Sequence, residues 1–146
     1  MIALGSDHAG FELKGHIIKY LQKNGYPYRD VGCTCGDSVD YVPFGEAAAR
    51  EVAEGRAELA IVICGTGLGI SMAANKVRGI RAALCTNEFM ARMARMHNDA
   101  NVLALGGRVV GVSLAEAIVD AFLKTGFEGG RHAERVKLLM EIENRH

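Results

Sequence analysis

The sequence predicts an α/β fold, a three-layer α/β/α sandwich around a five-stranded parallel sheet. Short apolar runs alternate with segments of helical periodicity along the chain, and runs such as LAIVI at 59–63 show no alternation of polar and apolar residues. Unalternating apolar runs are typical of strands buried on both faces, and a regular strand–helix alternation places helices on both faces of a parallel sheet. The predicted arrangement is Rossmann-like, with an additional helix at the C-terminus.

Each element follows from its own pattern. The predicted strands are IAL at 2–4, YRDV at 28–31, LAIVI at 59–63, IRAALC at 80–85 and NVLAL at 101–105. The predicted helices are 11–24, 44–54, 68–77, 88–97, 113–124 and 131–144. In the first helix, Leu13, Ile17 and Leu21 recur every four residues, and Gly25 is a typical C-terminal stop. The least regular stretch, 32–43, is predicted as a loop at the carboxyl edge of the sheet.

Length and composition indicate a single domain over residues 1–146. Apolar residues make up 49% and charged residues 23% of the chain, which excludes intrinsic disorder. Its 17 basic and 17 acidic residues cancel, so no net charge attracts nucleic acid or an anionic membrane. Neither a signal peptide nor a membrane span is recognisable in the sequence, and we expect a cytoplasmic protein.

A glycine-rich turn, CGTGLGIS at 64–71, follows the third predicted strand and precedes a helix. Backbone N–H groups exposed at such a turn, together with the helix dipole, suit an oxyanion or a phosphate. The turn matches neither the Walker pattern nor the GxGxxG pattern, so nucleotide binding is only weakly indicated. Tight packing of strand against helix is the alternative role for these glycines.

Cys64 begins this turn. A thiol at a helix N-terminus is favoured as the thiolate and can act as a base near neutral pH. A buried apolar cysteine is the alternative, and it is the interpretation we favour for Cys85. Cys33 and Cys35 could contribute to a metal site, but no paired ligand pattern accompanies them, so no metal site is predicted.

Polar residues also follow other predicted strands. Asp7 and His8 follow the first predicted strand, and Arg108 follows the last one. Because the carboxyl ends of parallel strands meet at one edge of the sheet, we expect these residues near Cys64. Asp7 could equally cap the first helix.

Two further groups of candidates lie in the C-terminal half. Arg131 and Arg135 share one face of the last predicted helix and could bind one anion, although a solvated basic face is an equally good interpretation. His97 and Asn98 lie between the fourth helix and the fifth strand, where a histidine can simply complement the helix dipole.

Several separate motifs stand in order along nearly the full chain. They are SDHAGFELK, DYVPFG, ICGTGLGISMAANKVRGIRAALC, HNDANVLALGGRVVG and EGGRHAERV. Together they resemble the type B ribose-5-phosphate isomerase family, which includes galactose-6-phosphate and allose-6-phosphate isomerases. The resemblance implies a phosphorylated sugar as substrate, an active site near a subunit interface, and a homodimer or a dimer of dimers. It also implies that neither a metal nor a redox cofactor is needed.

The same resemblance implies residue roles. Cys64 would be the base that moves a proton between C2 and C1 of the open-chain sugar through a cis-enediolate, and His97 would assist ring opening. Backbone donors of the turn and the Thr66 hydroxyl would stabilise the oxyanion. The residues implied to contact the substrate are Asp7, His8, Tyr41, Gly65, Gly67, Leu68, Gly69, Asn98, Arg108, Arg131 and Arg135.

One loop departs from the family pattern. Members often read Asp-Tyr-Pro, whereas here Val42 separates Tyr41 from Pro43, which leaves the sugar preference set by this loop open. The combination of Cys64 and Leu68 resembles the branch that uses a thiol base. The predicted reaction is the interconversion of ribose 5-phosphate and ribulose 5-phosphate. The alternatives are an allose-6-phosphate or galactose-6-phosphate isomerase and a non-enzymatic sugar-phosphate-binding module.

Overall fold

The computed structural model, which describes residues 1–33 and 37–145, contains one parallel sheet. Its strands are β1 (Ile2–Ser6), β2 (Tyr28–Asp30), β3 (Leu59–Cys64), β4 (Ala82–Leu84) and β5 (Val102–Gly106). The strands lie in the order β2-β1-β3-β5-β4, and all neighbouring pairs are parallel. The predicted five-stranded parallel sheet is therefore confirmed.

Six α-helices pack around this sheet in the described part of the chain. They are α1 (Phe11–Lys23), α2 (Tyr41–Ala53), α3 (Leu68–Asn75), α4 (Glu88–Asn98), α5 (Val112–Lys124) and α6 (Arg131–Glu141). A short 3₁₀ helix at Ile142–Arg145 continues α6, so the last predicted helix changes its geometry before its expected end at 144. Over residues 1–33 and 37–145, none of the helices combines the length and the apolar character that a membrane crossing requires.

Two apolar clusters, one on each face of the sheet, hold the three layers together. Ile61 and Ile63 of β3 join the cluster formed with α1, α4 and α5, whereas Val62 joins the cluster formed with α2 and α3. All three side chains are buried, and successive side chains of a strand point to opposite faces. A strand covered on both sides needs apolar residues at every position, which explains the unbroken run LAIVI.

The loop predicted at 32–43 is shorter than expected. Helix α2 begins at Tyr41, because the Asp40 side chain caps it by accepting the Val42 N–H at 2.9 Å. Pro43 is tolerated because it lies in the first helical turn, where a backbone N–H would have no acceptor within the helix. Cys35, considered above as a metal ligand with Cys33, lies outside the described residues.

The fourth strand is also shorter than its predicted span of 80–85. Asparagine side chains occupy the backbone groups at its start: the Arg81 N–H donates to Asn101 Oδ1 at 2.8 Å, and the Ala82 N–H donates to Asn75 Oδ1 at 2.8 Å. The Cys85 N–H still reaches the Ala104 carbonyl at 3.2 Å. The regular ladder is therefore confined to the three residues of β4.

Candidate active site

The carboxyl ends of β1, β3 and β5 converge on one edge of the sheet. After β1 the chain continues to β2 on one side of the sheet, whereas after β3 it continues to β4 on the other side. A crevice therefore opens between β1 and β3. Backbone hydrogen bonds join the three strand ends. The Asp7 N–H donates to the Ile63 carbonyl at 3.2 Å, the Gly107 N–H to the Cys64 carbonyl at 2.8 Å, and the Arg108 N–H to the Gly65 carbonyl at 2.9 Å. This edge thus holds the residues that were expected beside Cys64.

The turn at 64–71 holds the Cys64 thiol at the start of α3. The Gly67 N–H donates to Cys64 Sγ at 3.2 Å, and α3 begins at the next residue, so the positive end of the helix lies beside the sulfur. Gly67 has φ +83°, and a Cβ there would lie 2.5 Å from Leu84 Cδ1. Only glycine fits this position, which fixes the N–H that the sulfur accepts.

Two side chains flank the turn. Arg108 lies along Gly65, where a Cβ on the glycine would be 3.3 Å from Arg108 Nη1. Tyr41 lies over Gly69, where a Cβ would be 2.6 Å from the Tyr41 ring carbon Cζ. Glycines at these positions therefore leave room for an arginine and a phenol at the edges of the turn.

Polar groups of the turn remain open to solvent. Thr66 is exposed, and its Oγ1 accepts the Leu68 N–H at 3.2 Å. The Leu68 side chain is 51% exposed. A ligand approaching this edge would meet the Thr66 hydroxyl and the first turn of α3.

Asp7 and His8 both lie at this edge, but they have different surroundings. Asp7 is buried, and its Oδ1 accepts the Gly10 N–H at 3.0 Å in the turn before α1. The N-cap of α1 is Gly10, without a side-chain cap, so Asp7 fixes the turn before the helix and the expectation that it caps α1 is wrong. His8 is half-buried, and its Nδ1 lies 3.1 Å from both the backbone nitrogen and the backbone oxygen of Val39. Its other ring nitrogen is directed away from that contact, since the two nitrogens lie on opposite sides of the ring.

His97 and Asn98 lie at the opposite edge of the sheet. Helix α4 runs from the carboxyl end of β4 back to the start of β5, and its 11 residues span about 16 Å. Its last two residues are His97 and Asn98, so they lie at the amino edge, away from Cys64. One chain alone does not bring Cys64 and His97 together.

Arg131 and Arg135 belong with His97. Helix α6 begins beside the end of α4, because the ring of His132 stacks on the ring of His97 with centroids 4.1 Å apart and planes 9° apart. The chain after α6 reaches the start of β4, where Glu143 accepts the Gly79 N–H at 3.0 Å. The whole of α6 therefore follows the amino edge, and both arginines on it are exposed.

The sequence reasoning did not single out His132. This residue is only 6% exposed, and its Nε2 lies 3.5 Å from Glu128 Oε2. Burial lowers the pKa of His132, and the neighbouring His97 and Arg131 lower it further. The spacing Glu128-x-x-x-His132 within the motif EGGRHAERV was the available signal.

The chain is similar in sequence to a known protein family and to individual proteins in it. Residues 2–139 match the family described as Ribose/Galactose Isomerase. The chain is 48% identical to ribose-5-phosphate isomerase B of Escherichia coli, with 99% of this chain and 97% of that protein covered. It is 41% identical to the galactose-6-phosphate isomerase subunit LacB of Clostridium acetobutylicum, with 93% of this chain and 79% of that protein covered.

Solved structures show the same fold. Ribose-5-phosphate isomerase B of Clostridium thermocellum superimposes with a TM-score of 0.98 at 58% identity, covering 99% of this chain and 97% of that chain. Ribose-5-phosphate isomerase B of Mycoplasma genitalium, solved with bound ribulose-5-phosphate, gives a TM-score of 0.95 at 42% identity, with 99% and 97% covered. The similarity thus extends over nearly the whole of each chain.

Proposed function

Because the chain belongs to the ribose/galactose isomerase family, we propose that it is an aldose–ketose isomerase that interconverts ribose 5-phosphate and ribulose 5-phosphate. One observation carries this conclusion: the full-length similarity to ribose-5-phosphate isomerase B, whose Mycoplasma genitalium representative holds ribulose-5-phosphate. The substrate is a sugar phosphate, and the crevice between β1 and β3 is where such folds bind ligands.

The proposed base is the Cys64 thiolate. It removes the proton from C2 of the open-chain aldose, the C2–H electron pair forms the C1=C2 bond of a cis-enediolate, and negative charge moves to the oxygen on C1. A proton then passes from the oxygen on C2 to the oxygen on C1, which moves the negative charge to the oxygen on C2. Return of the first proton from the thiol to C1 forms the C2=O bond of the ketose, so no electron leaves the sugar. The location of Sγ beside the Gly67 N–H and the start of α3 supports this role.

The turn provides a proposed oxyanion site. Thr66 is exposed at the turn, two residues before α3 begins at Leu68. Hydrogen-bond donors and a helix dipole placed where negative charge develops lower the barrier in the transition state. We assign Gly65, Gly67, Leu68 and Gly69 to substrate contact through their backbone, with Tyr41 lining the pocket beside Gly69.

The remaining roles require a second copy of the chain. His97 and Asn98, proposed for ring opening and sugar binding, lie at the amino edge, whereas Cys64 lies at the carboxyl edge. We therefore propose a homodimer, or a dimer of dimers, in which the amino edge of one protomer meets the carboxyl edge of its partner. Arg131 and Arg135 would then reach the substrate phosphate across the interface.

Exposed apolar side chains support this association. Met72 on α3 is 64% exposed and Phe89 in the first turn of α4 is 61% exposed, and both helices begin at the carboxyl edge. Large exposed apolar side chains are typical of a contact surface. Asp7, His8 and Arg108 would complete the half of the site that each protomer provides at its carboxyl edge.

The thiols indicate the compartment. Cys64 and Cys85 form no disulfide, which is usual in a reducing environment, and we propose a cytoplasmic location on that basis.

A hexose 6-phosphate is the second candidate substrate. Val42 is 43% exposed in the first turn of α2, beside Tyr41, and the chain resembles a galactose-6-phosphate isomerase subunit at 41% identity. A changed residue at the pocket edge can alter the space available for one more carbon.

The test is a comparison of isomerisation rates by the purified protein in EDTA. We expect ribose 5-phosphate to give a kcat/KM at least about tenfold above those for allose 6-phosphate and galactose 6-phosphate, which corresponds to about 1.4 kcal/mol of differential transition-state binding. A higher kcat/KM for a hexose phosphate would keep the chemistry and change the substrate. Turnover of none of the three would contradict the proposal.

A further inference from the structure

The amino edge holds a group of metal-binding side chains outside the catalytic turn. The ligand atoms of His97, Glu128 and His132 all lie within 4.8 Å of one another. They come from three pieces of structure: the end of α4, the segment between α5 and α6, and the first turn of α6. The Glu128 N–H donates to the Met96 carbonyl at 3.1 Å, which fixes Glu128 beside the end of α4.

The buried imidazole of His132 is in a form suited to coordination. His132 is buried, and its pKa is lowered by burial, by His97 and by Arg131, so its ring is neutral at neutral pH. Metal ions bind neutral imidazole, because the coordinating nitrogen must carry a free lone pair. The stacking of the two rings places the imidazole of His97 next to that of His132.

The distances are close to those a metal ion needs. Ligand nitrogens and oxygens around a tetrahedral zinc ion lie about 3.4 Å apart, because each is about 2.0–2.1 Å from the metal. The ligand atoms lie within 4.8 Å of one another, so side-chain rotations would bring them to the spacing that a bound ion needs. Lone pairs lie in the imidazole plane, so one of the two parallel rings must rotate for both to point at one ion. Glu128 is exposed and has room to follow.

The surrounding charge selects the kind of ion. Arg131 and Arg135 both act to lower the pKa of His132, so they also oppose a bound cation, and among the described residues the Glu128 carboxylate is the group that offsets them. Mg²⁺ and Ca²⁺ need several oxygen ligands and would not bind to such a site. Zn²⁺, Co²⁺ and related ions bind imidazole strongly enough to prefer it.

We propose that His97, Glu128 and His132 form a binding site for a divalent transition-metal ion such as Zn²⁺. A bound ion would take the lone pair of one ring nitrogen of His97, so that the ring could no longer accept a proton there. The metal would then act as a reversible inhibitor of the isomerase, and this consequence rests on the role proposed above for His97.

Direct metal binding is the first test. The purified native protein is titrated with ZnCl₂ by calorimetry and with CoCl₂ by visible absorption. We expect one ion per chain, low-coordinate Co²⁺ bands and no binding of Mg²⁺. In Glu128→Gln, the Zn²⁺ affinity should fall at least about tenfold. The matched control is Glu134→Gln, which changes an exposed glutamate of α6 that is not part of the group, and the Zn²⁺ affinity of this variant should not change.

Equal Zn²⁺ affinity in the wild type and in Glu128→Gln would overturn the site, since any bound zinc would then be held elsewhere, for example by thiols. Absence of Zn²⁺ binding up to millimolar concentration would overturn it as well. Circular dichroism of both variants shows whether they are folded.

An activity measurement separates the site from the proposed function. Micromolar Zn²⁺ should inhibit the wild type and Glu134→Gln, EDTA should restore activity, and Glu128→Gln should keep its basal activity while losing sensitivity to zinc. Glu128-dependent binding without inhibition would contradict the role of His97 and leave the metal site standing.

Discussion

Two buried cysteines at the carboxyl edge have opposite surroundings. Cys64 Sγ accepts an N–H from Gly67 beside the start of α3. Cys85 instead joins the apolar cluster with α4 and α5, its Sγ lies 3.8 Å from the Ala83 carbonyl, and burial raises the pKa of its thiol to about 11. The environment therefore leaves Cys85 protonated and places Cys64 where a base is useful.

Replacing Cys64 by serine should remove most of the activity. A hydroxyl is a far weaker base than a thiolate, so we expect kcat to fall at least about 100-fold, with KM little changed. Steady-state kinetics with ribose 5-phosphate measures this. The control is Cys85→Ala, which should keep kcat within about threefold because Cys85 lies in the core. Wild-type turnover in Cys64→Ser would contradict the base assignment.

Cys85 should make stability depend on alkaline pH. Its pKa of about 11 in the folded protein lies above the value of about 8.5 in an unfolded chain, so the unfolded state ionises first. Below about pH 8.5 the protonated Cys85 thiol gives the folded state its full stability. As the pH rises toward about 11, the free energy of unfolding falls by at most about 3 kcal/mol. Urea unfolding at pH 7.5 and at pH 10.5 measures this effect. The difference in the free energy of unfolding between wild type and Cys85→Ala should be smaller at pH 10.5. A constant gap would argue against this pKa.

At the scale of the element, close backbone approach decides where α1 lies. Gly10, just before α1, is packed so closely on β3 that a Cβ there would lie 2.4 Å from the Ile63 carbonyl oxygen. Gly15, inside α1, has no heavy atom within 4 Å of such a Cβ. The two glycines of one segment therefore have opposite roles: Gly10 allows contact, whereas Gly15 only adds flexibility to the helix.

Alanine substitutions should separate these roles. Gly10→Ala should lower the free energy of unfolding by about 1–3 kcal/mol, because backbone must shift to admit the methyl group. Gly15→Ala should raise it by about 0.5–1 kcal/mol, because alanine favours the helix. Urea denaturation of both variants measures these changes. If the two substitutions changed the free energy of unfolding in the same direction, the opposite roles of Gly10 and Gly15 would be contradicted.

Most elements could be predicted from the sequence because their patterns are local. The run LAIVI is apolar at each position because β3 is covered on both faces. The sequence predicts too late a start for α2, because Pro43 is typical of a loop, whereas Asp40 caps a helix that accommodates this proline. The length of β4 depends on Asn75 and Asn101, whose side chains reach it from elsewhere in the fold.

At the scale of the whole molecule, the candidate site divides into two groups at opposite edges of the sheet. The positions of Asp7, Cys64 and Arg108 could be predicted, because each follows a strand and parallel strands end together. The position of His97 could not, because it depends on the direction of α4 and on the packing of α6. A residue role implied by family resemblance does not specify whether that residue comes from the same protomer or from its partner.

A hybrid protein tests the shared site most directly. Cys64→Ser and His97→Asn chains, carrying different affinity tags, are co-expressed, and the mixed species is purified through both tags. If Cys64 of one protomer works with His97 of its partner, one of the two sites in a mixed dimer combines both intact residues. The account predicts that the hybrid recovers about half of the wild-type kcat per dimer, while each parent is inactive. A hybrid as inactive as its parents would show that both residues act within one chain, which contradicts the account.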